Sequence, residues 1–232
     1  ISKYLLFHIN SSEKLLIHLG MSGTIHLIEK NNKKNTNASF YHLANLPSKH
    51  NHVEILFSNN IKMVYNDPRR FGYIKILKSN YLKQKPIIYL GPDPFSYKFN
   101  FTYFKNYIYK KKINIKNLIM NQNFVSGIGN IYANEILYYC RLRPTKKVNN
   151  LSQKNILDII MHTKKVLDKA IKFGGSSIRD FKRTDGLSGS FQQNFKVYGK
   201  NNTLCTRYGC DGYIKKILMS GRSAFYCPKC QI

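Results

Sequence analysis

Four of the five cysteines lie near the C-terminus in two close pairs, and this arrangement constrains the fold more than any other feature. The pairs are Cys205-x4-Cys210 and Cys227-x2-Cys230, separated by sixteen residues. Two thiol pairs are typical of a tetrahedral structural zinc site, although the first gap is wider than the usual two residues. Coincidence and redox cysteines are the alternatives, and the tight clustering favours zinc. We predict one structural Zn²⁺ held by these four cysteines, with a β-hairpin pinned between the pairs.

The remaining cysteine and the hydropathy of the chain limit the class of protein. Cys140 stands alone, and clustered cysteines are unlike a disulfide framework spread over a secreted fold. We therefore expect a reducing compartment.

Hydrophobic residues make up 43% of the chain, enough for a core, and no run approaches the roughly 18 apolar residues of a membrane span.

The charge balance predicts a polyanionic partner. Lysine and arginine number 38 against 11 acidic residues, a formal net charge of +27. Such a field attracts nucleic acid first and anionic membranes second. The chain is also rich in Asn, Ile, Lys and Tyr, as an A+T-biased genome would produce. Charge alone therefore favours nucleic-acid binding only modestly.

Hydrophobic periodicity changes along the chain and predicts an α+β fold. The first part contains alternating, β-branched runs separated by turn residues, which favour an antiparallel sandwich at 1–95. These runs are 3–9, 14–19, 24–29, 52–57, 61–65 and 71–77, and the polar segment 30–39 is predicted as a loop. Helical patterns follow at 101–112, 115–122, 131–141 and 152–175, the last with Ser152 as its cap and Gly174–Gly175 as its stop. We predict a helical DNA-binding domain at 100–193 and a zinc finger at 194–232.

Three turns carry candidate contacts to nucleic acid. In "FVSGIGNIYANE", Gly127 and Gly129 can expose backbone N–H groups to a phosphate, and Asn130 adds a side-chain donor. An ordinary helix–helix turn is the alternative. Arg222, near the tip of the predicted zinc hairpin, is a second candidate for phosphate.

The third turn, "NDPRRFG", places a cation beside an aromatic ring. Arg69 and Phe71 there suit insertion into a base stack, and burial of Phe71 in the core is an equal alternative. Met21 in "HLGMSG" stands in a glycine-flanked turn, which is an unusual place for a core methionine. The long loop at 174–195 is rich in glycine and serine, and such loops are often lids or disordered.

Six motifs occur in one order along the chain: "HLGMSG", "NDPRRFG", "LGPDP", "GIGNIYANE", "TDG" with "VYG", and "GRSAFYCPKC". In this order they resemble the bacterial formamidopyrimidine-DNA glycosylases, over residues 3–230. The resemblance implies a β-sandwich, a helix–two-turn–helix domain and a zinc finger. It also implies a monomeric, cytoplasmic and nucleoid-associated bacterial enzyme without a membrane partner.

The resemblance further implies chemistry on damaged double-stranded DNA. Enzymes of the family excise oxidised purines such as 8-oxoguanine and formamidopyrimidines, and cut the strand at abasic sites by β,δ-elimination. Lys3 resembles the lysine that assists elimination, and Arg222 resembles the finger arginine linked to its last step. The implied DNA contacts are His50, Arg69, Lys112 and Asn130; the implied gap-filling residues are Met21, Arg69 and Phe71; Arg179 lies near the start of the 176–190 loop, which resembles the lesion flap.

One departure from the family concerns its nucleophile, an N-terminal proline amine followed by a glutamate acid. This chain opens at Ile1 inside a predicted strand, and we expect it to begin past that catalytic head. Lys3 is a poor substitute for the amine. A non-catalytic binder of damaged or abasic DNA and an endonuclease VIII-like glycosylase therefore stand as alternatives, with a zinc-ribbon RNA-binding protein as the remote option.

Overall fold

The computed structural model describes most of the chain, namely residues 2–9, 12–29, 36–38, 47–176 and 189–232. Apart from the first two residues, the chain divides into two compact units. The first comprises Lys3–Gln84 and Ala170–Gln193, and the second comprises Lys85–Lys169 and Asn194–Ile232. The three-part division at 1–95, 100–193 and 194–232 stays a prediction.

Two antiparallel sheets form the first unit. One has the strand order β1-β2-β7 and the other has the order β4-β3-β6-β5. The strands are β1 (Tyr4–His8), β2 (Lys14–His18), β3 (Thr24–Glu29), β4 (Thr36–Ala38), β5 (Asn51–Leu56), β6 (Ile61–Asn66) and β7 (Tyr73–Leu77). The predicted runs match six of these strands within two residues at each end.

The apolar residues of both sheets meet in one core, which explains the alternating pattern of the sequence. Ile17 of β2 and Ile25, Met63 and Tyr65 of β3 and β6 are buried together. Strand β4 differs from the prediction of a polar loop, since Thr36–Ala38 pair with β3. Strand β4 is held to the edge of β3 by backbone hydrogen bonds, which do not require apolar side chains. The pattern of alternating hydrophobic residues therefore could not predict it.

The second unit is helical and ends in a two-stranded hairpin. Its elements are α1 (Phe101–Ile108), α2 (Ile115–Met120), α3 (Asn130–Tyr139), α4 (Gln153–Lys172, whose last residues belong to the first unit), β8 (Lys215–Met219) and β9 (Arg222–Tyr226). Ser152 Oγ accepts the Asn155 N–H at 3.1 Å, so the predicted cap of α4 is confirmed. Among the described residues, none of the helices has the length and apolar character needed to cross a membrane.

Candidate nucleic-acid interface and metal centre

Two large apolar side chains project from neighbouring turns of the first unit. Met21 is 64% exposed and Phe71 is 56% exposed, so the core alternative for Phe71 is excluded. The Arg69 guanidinium carbon lies 4.6 Å from the centroid of the Phe71 ring. The face of an aromatic ring attracts a cation electrostatically, and this attraction persists at an exposed site. We call Met21, Arg69 and Phe71 the wedge group.

The two turns that carry the wedge group touch through bare backbone. Gly20 has φ +62°, and a Cβ atom there would lie 2.6 Å from the Phe71 carbonyl carbon. A Cβ atom on Gly72 would lie 2.0 Å from the Tyr65 hydroxyl oxygen. Only glycine allows this approach at both positions. The glycines of "HLGMSG" and "NDPRRFG" therefore fix the spacing between Met21 and Phe71.

A buried carboxylate joins the same two turns. Asp67 is fully buried and accepts hydrogen bonds from Ser22 Oγ at 2.5 Å, Gly72 N at 2.8 Å and Tyr65 OH at 3.0 Å. Burial by itself raises the pKa of Asp67, but these hydrogen bonds outweigh it and leave the pKa below its usual value. The ionised carboxylate thus holds the turn of Met21 against the turn of Arg69 and Phe71.

The histidines near these turns have structural contacts. His52 Nε2 lies 2.9 Å from the carbonyl oxygen of Asp67, and the Asp67 N–H donates to the His50 carbonyl at 3.0 Å. The His18 ring accepts the Gly20 N–H at 3.1 Å. Burial, and then the nearby charge of Lys3, lower the pKa of His18. Lys3 itself is exposed, one residue before β1.

The glycine turn of the second unit is organised by a residue that the sequence did not single out. Gln122 Oε1 accepts the Gly127 N–H at 2.8 Å, and Gln122 Nε2 donates to the Ile128 carbonyl at 2.9 Å. The expectation that Gly127 offers its N–H to a phosphate is therefore wrong, because the Gln122 amide already occupies it. Gly127 is needed for its φ of +88°.

The helix that follows this turn begins without a capping side chain. Gly129 is the N-cap of α3 and Asn130 is its first residue. The Asn130 Oδ1 atom is buried and has no hydrogen-bond partner among the described residues. Uncapped N–H groups and the helix dipole make such an end attractive to anions.

Lys112, in the segment before α2, is exposed.

The tip of the zinc hairpin is pinned to α2 on both sides of Arg222. Asn117 Nδ2 donates to Ser220 Oγ at 3.1 Å, and Lys116 Nζ donates to the Ser223 carbonyl at 2.8 Å. Lys116 is almost fully buried, and burial, followed by the charge of Arg222, lowers its pKa to about 8. Arg222 remains exposed at the start of β9. No motif or spacing in the sequence indicates these contacts of Lys116 and Asn117 with the hairpin.

The four cysteines converge as predicted. Their sulfur atoms lie within 4.8 Å of one another. The Cys205–Cys230 and Cys210–Cys227 sulfur separations are 3.8 and 3.6 Å. Four thiolates at zinc–sulfur distances of about 2.3 Å would be about 3.8 Å apart, so the site fits a tetrahedral zinc ion.

Glu135 is a second buried carboxylate that the sequence left without a role. It accepts the N–H groups of Lys196, Val197 and Tyr198 at 2.8, 3.0 and 2.9 Å. Burial raises the pKa of Glu135, and the three hydrogen bonds act in the opposite direction. Its function is to fix the "VYG" turn that leads to the cysteines.

The ends of the predicted lesion flap meet in the first unit. Ser176 and Ser190 form an isolated antiparallel bridge, and a Cβ on Gly189 would lie 2.4 Å from the Gly175 carbonyl oxygen. Arg179 and the rest of 177–188 lie outside the described residues.

Three family models together match most of the chain. Residues 1–74 match the formamidopyrimidine-DNA glycosylase N-terminal domain, 90–182 match the formamidopyrimidine-DNA glycosylase H2TH domain, and 204–232 match a zinc finger found in FPG and IleRS. The formamidopyrimidine-DNA glycosylase of Roseobacter denitrificans is 38% identical over 231 residues, which is 99% of this chain and 80% of the relative. The chain belongs to the formamidopyrimidine-DNA glycosylase family.

Other members of the family show the same agreement in sequence and in structure. The formamidopyrimidine-DNA glycosylase of Rickettsia conorii is 40% identical over 230 residues, covering 99% of this chain and 79% of the relative. A structure of Lactococcus lactis Fpg with abasic-site DNA has a TM-score of 0.82 at 31% identity, over all of this chain and 79% of that one. The Thermus thermophilus MutM (Fpg) structure has a TM-score of 0.83 at 29% identity, over 99% and 80%. The predicted α+β fold with a C-terminal zinc finger is confirmed.

The predicted site residues of this family member fall into two sets. The first unit holds Lys3, His50 and the wedge group. Asp67 is not part of the wedge group, but it joins the two turns that carry it. The second unit holds Lys112, Asn130, Arg222 and the cysteines. Their roles toward DNA remain predictions.

Proposed function

We propose that this chain is a base-excision-repair DNA glycosylase that removes oxidised purines from double-stranded DNA and cuts the strand at the resulting abasic site. The observation that carries the proposal is the wedge group, an exposed thioether, guanidinium and aromatic ring on two turns that a buried carboxylate joins. Exposed apolar side chains cost solvation free energy, which insertion into DNA would recover. The relation to enzymes of this family over nearly the whole chain supports the same conclusion.

The chemistry requires that the damaged nucleotide leave the base stack. Met21 and Phe71 fill the space that an extruded base leaves, while Arg69 contacts the unpaired partner base or its phosphate. Unstacking costs about a few kcal/mol, and the wedge helps to offset this cost because the turns that carry it are already ordered and lose little backbone entropy on insertion.

Elimination after base release requires charge stabilisation at the sugar and phosphates. An amine that attacks the aldehyde carbon of the abasic sugar gives an iminium ion with loss of water. The iminium ion withdraws electrons, so that a proton leaves the adjacent sugar carbon and the phosphate on the next carbon departs, which breaks the strand. Lys3, which is exposed one residue before β1, assists this step and contacts phosphate. Arg222, whose strand start is pinned at Ser220 and Ser223, holds the departing phosphate in the last elimination.

We propose the three-part organisation for this function: a catalytic sandwich at 1–95, a helix–two-turn–helix DNA-binding domain at 100–193 and a zinc finger at 194–232. The ranges that the family models match support this division. We also propose that the protein acts as a monomer on nucleoid DNA in the bacterial cytoplasm, where its positive charge would concentrate it on polyanions.

Lesion preference of the protein tests the proposal. Duplexes with 8-oxoguanine, a formamidopyrimidine, thymine glycol or an abasic site are compared for incision and for borohydride trapping. We expect the two purine lesions to be cut faster than thymine glycol. Preference for thymine glycol would show an endonuclease VIII-like enzyme, and tight binding without trapping or incision would show a non-catalytic binder.

Substitution of the wedge tests the observation on which the proposal rests. Met21→Ala and Phe71→Ala should slow excision of 8-oxoguanine while leaving the free energy of unfolding nearly unchanged, because both side chains are exposed. Leu56→Ala is the matched control, since Leu56 is 71% exposed on β5 outside the wedge group. Equal effects of all three substitutions on excision would contradict the role of the wedge.

Lys112→Ala should weaken binding to abasic-site DNA and reduce its salt dependence. One phosphate contact by a lysine releases condensed counterions, so the slope of log affinity against log salt should fall by about 0.9. Titrations between about 50 and 200 mM salt measure that slope. Lys154→Ala on α4 is the control, since Lys154 is an exposed lysine outside the predicted DNA contacts. Unchanged affinity and slope for Lys112→Ala would refute the contact.

Asn130→Ala should weaken DNA binding without changing the salt slope. The amide carries no charge and releases no counterion, yet it lies at the uncapped start of α3. We expect a loss of about tenfold in affinity, as for one good hydrogen bond to a charged group. Asn155→Ala, in the first turn of α4, is a control at another helix start; a fall in slope for Asn130→Ala would indicate a displaced cation instead.

A further inference from the structure

The first cysteine pair of this chain encloses four residues, and the wider loop places an arginine between the metal ligands and a helix. The Cys210 N–H donates to the Arg207 carbonyl at 3.0 Å, and Gly209 adopts a φ of +71°, so the loop folds back on itself. Arg207 is half-buried, whereas its neighbour Tyr208 is fully exposed. The loop therefore turns the guanidinium toward the protein.

The Arg207 side chain binds the C-terminal end of α3. Its Nη2 atom donates to the Tyr138 carbonyl at 2.5 Å, and its guanidinium carbon lies 4.5 Å from the centroid of the Tyr138 ring. The last carbonyls of a helix lack intrahelical donors and carry partial negative charge, so a cation there is favourable. The Arg207 Nε atom is buried and has no hydrogen-bond partner within the described part of the chain.

The same two residues contact the thiols. The Tyr138 hydroxyl lies 3.6 Å from Cys205 Sγ. A hydrogen bond also joins the Arg207 backbone to the Cys205 thiol. The Arg207 side chain forms a hydrogen bond with the Cys230 thiol.

When zinc is bound, the four-cysteine site carries a net negative charge that its surroundings must balance. Four thiolates and one Zn²⁺ carry a formal charge of −2, because four negative charges are offset by two positive ones. Cys205 and Cys227 are buried, and buried charge needs a compensating partner. Lys229 also carries charge near the thiols, but it is exposed and paired with Asp211.

We propose that Arg207 clamps the zinc–thiolate centre to the C-terminal end of α3, so that it both retains the metal and fixes the helix whose first residue is Asn130. Partners of metal ligands typically change metal affinity by about 10- to 100-fold when they are removed. The clamp goes beyond the proposed glycosylase activity, and its test does not depend on catalysis.

Zinc release from the holoprotein tests the clamp. Transfer of zinc to a chromogenic chelator is followed for wild type, Arg207→Gln, Arg207→Lys and Lys229→Gln. We expect Arg207→Gln to release zinc at least about tenfold faster, and Arg207→Lys to be intermediate because an ammonium lacks the planar fork of donors. Lys229→Gln removes the same charge near the thiols without touching α3, and should release zinc at the wild-type rate.

Hydrogen exchange of zinc-loaded protein gives a second readout. The Cys140 N–H donates to the Ile136 carbonyl in the last turn of α3. This amide should exchange faster in both Arg207 variants and at the wild-type rate in Lys229→Gln. Wild-type zinc release by Arg207→Gln, or equal acceleration by Lys229→Gln, would overturn the proposal. If Arg207→Gln fails to fold, Arg207→Lys decides, and wild-type release and exchange by that variant would refute the clamp.

Discussion

Removal of zinc should unfold the C-terminal finger and abolish tight binding to DNA. Cys205 and Cys227 belong to a small buried cluster with Tyr138, Val197, Ile214 and Phe225. The β8–β9 hairpin has only two strands, and an isolated hairpin is marginally stable in water. Structural zinc contributes on the order of 10 kcal/mol to folding, so most of the order of 194–232 depends on it.

Metal analysis, circular dichroism and DNA titration measure this dependence. We expect one zinc per folded chain, lost with the finger after chelation or in Cys227→Ser. Cys140→Ala is the matched control, because Cys140 is buried but stands outside the four-cysteine group. Less than about half an equivalent of zinc in folded wild-type protein would count against a single structural site.

Asp67→Ala should destabilise the first unit by about 3 kcal/mol and displace the wedge group. The substitution leaves the Tyr65 hydroxyl, Ser22 hydroxyl and Gly72 N–H without their buried acceptor. Loss of one partner from a buried polar network costs the desolvation of the groups that remain. Excision should fall more than for Met21→Ala or Phe71→Ala alone, because both turns lose their connection.

The protonation state of Asp67 gives the same prediction a pH dependence. Its pKa is lower in the folded protein than in the unfolded chain, so the carboxylate contributes stability that is complete above the unfolded value of about 4. That contribution is lost as the pH falls through the folded pKa. Urea unfolding between about pH 2.5 and 7 should therefore show a steeper acid loss for wild type than for Asp67→Asn.

Asp93→Ala is the control for the carboxylate itself. Asp93 accepts the Phe95 N–H at 2.8 Å but is exposed, so water can replace the lost acceptor. We expect a change below about 1 kcal/mol for this variant. A similarly small effect of Asp67→Ala would show that the two turns are held by packing and not by the carboxylate.

The sequence by itself determined the features that depend on short-range pattern. Alternating residues predicted the strands of the sandwich, because the side-chain period of a strand is two. Ser152 and the glycine pair predicted the ends of α4. Cysteine spacing predicted the metal ligands, because the chemistry of zinc requires thiolates in close pairs. Met21 was singled out because a glycine-flanked turn is an unusual place for a core side chain, whereas the sequence left burial of Phe71 open and the structure decided that it is exposed.

Only the tertiary structure decided which polar groups hold those features in place. Asp67 meets Ser22 from 45 positions away, Glu135 meets Lys196 from 61, and Arg207 meets Tyr138 from 69. A lone Asp, Glu or Arg in the sequence has no periodicity or spacing that reveals its partner. Burial then makes the pairing obligatory, since an unpaired polar group in the interior costs several kcal/mol. Local pattern therefore specified the elements, whereas long-range hydrogen bonds to buried groups specified the geometry between turns, helix ends and metal ligands.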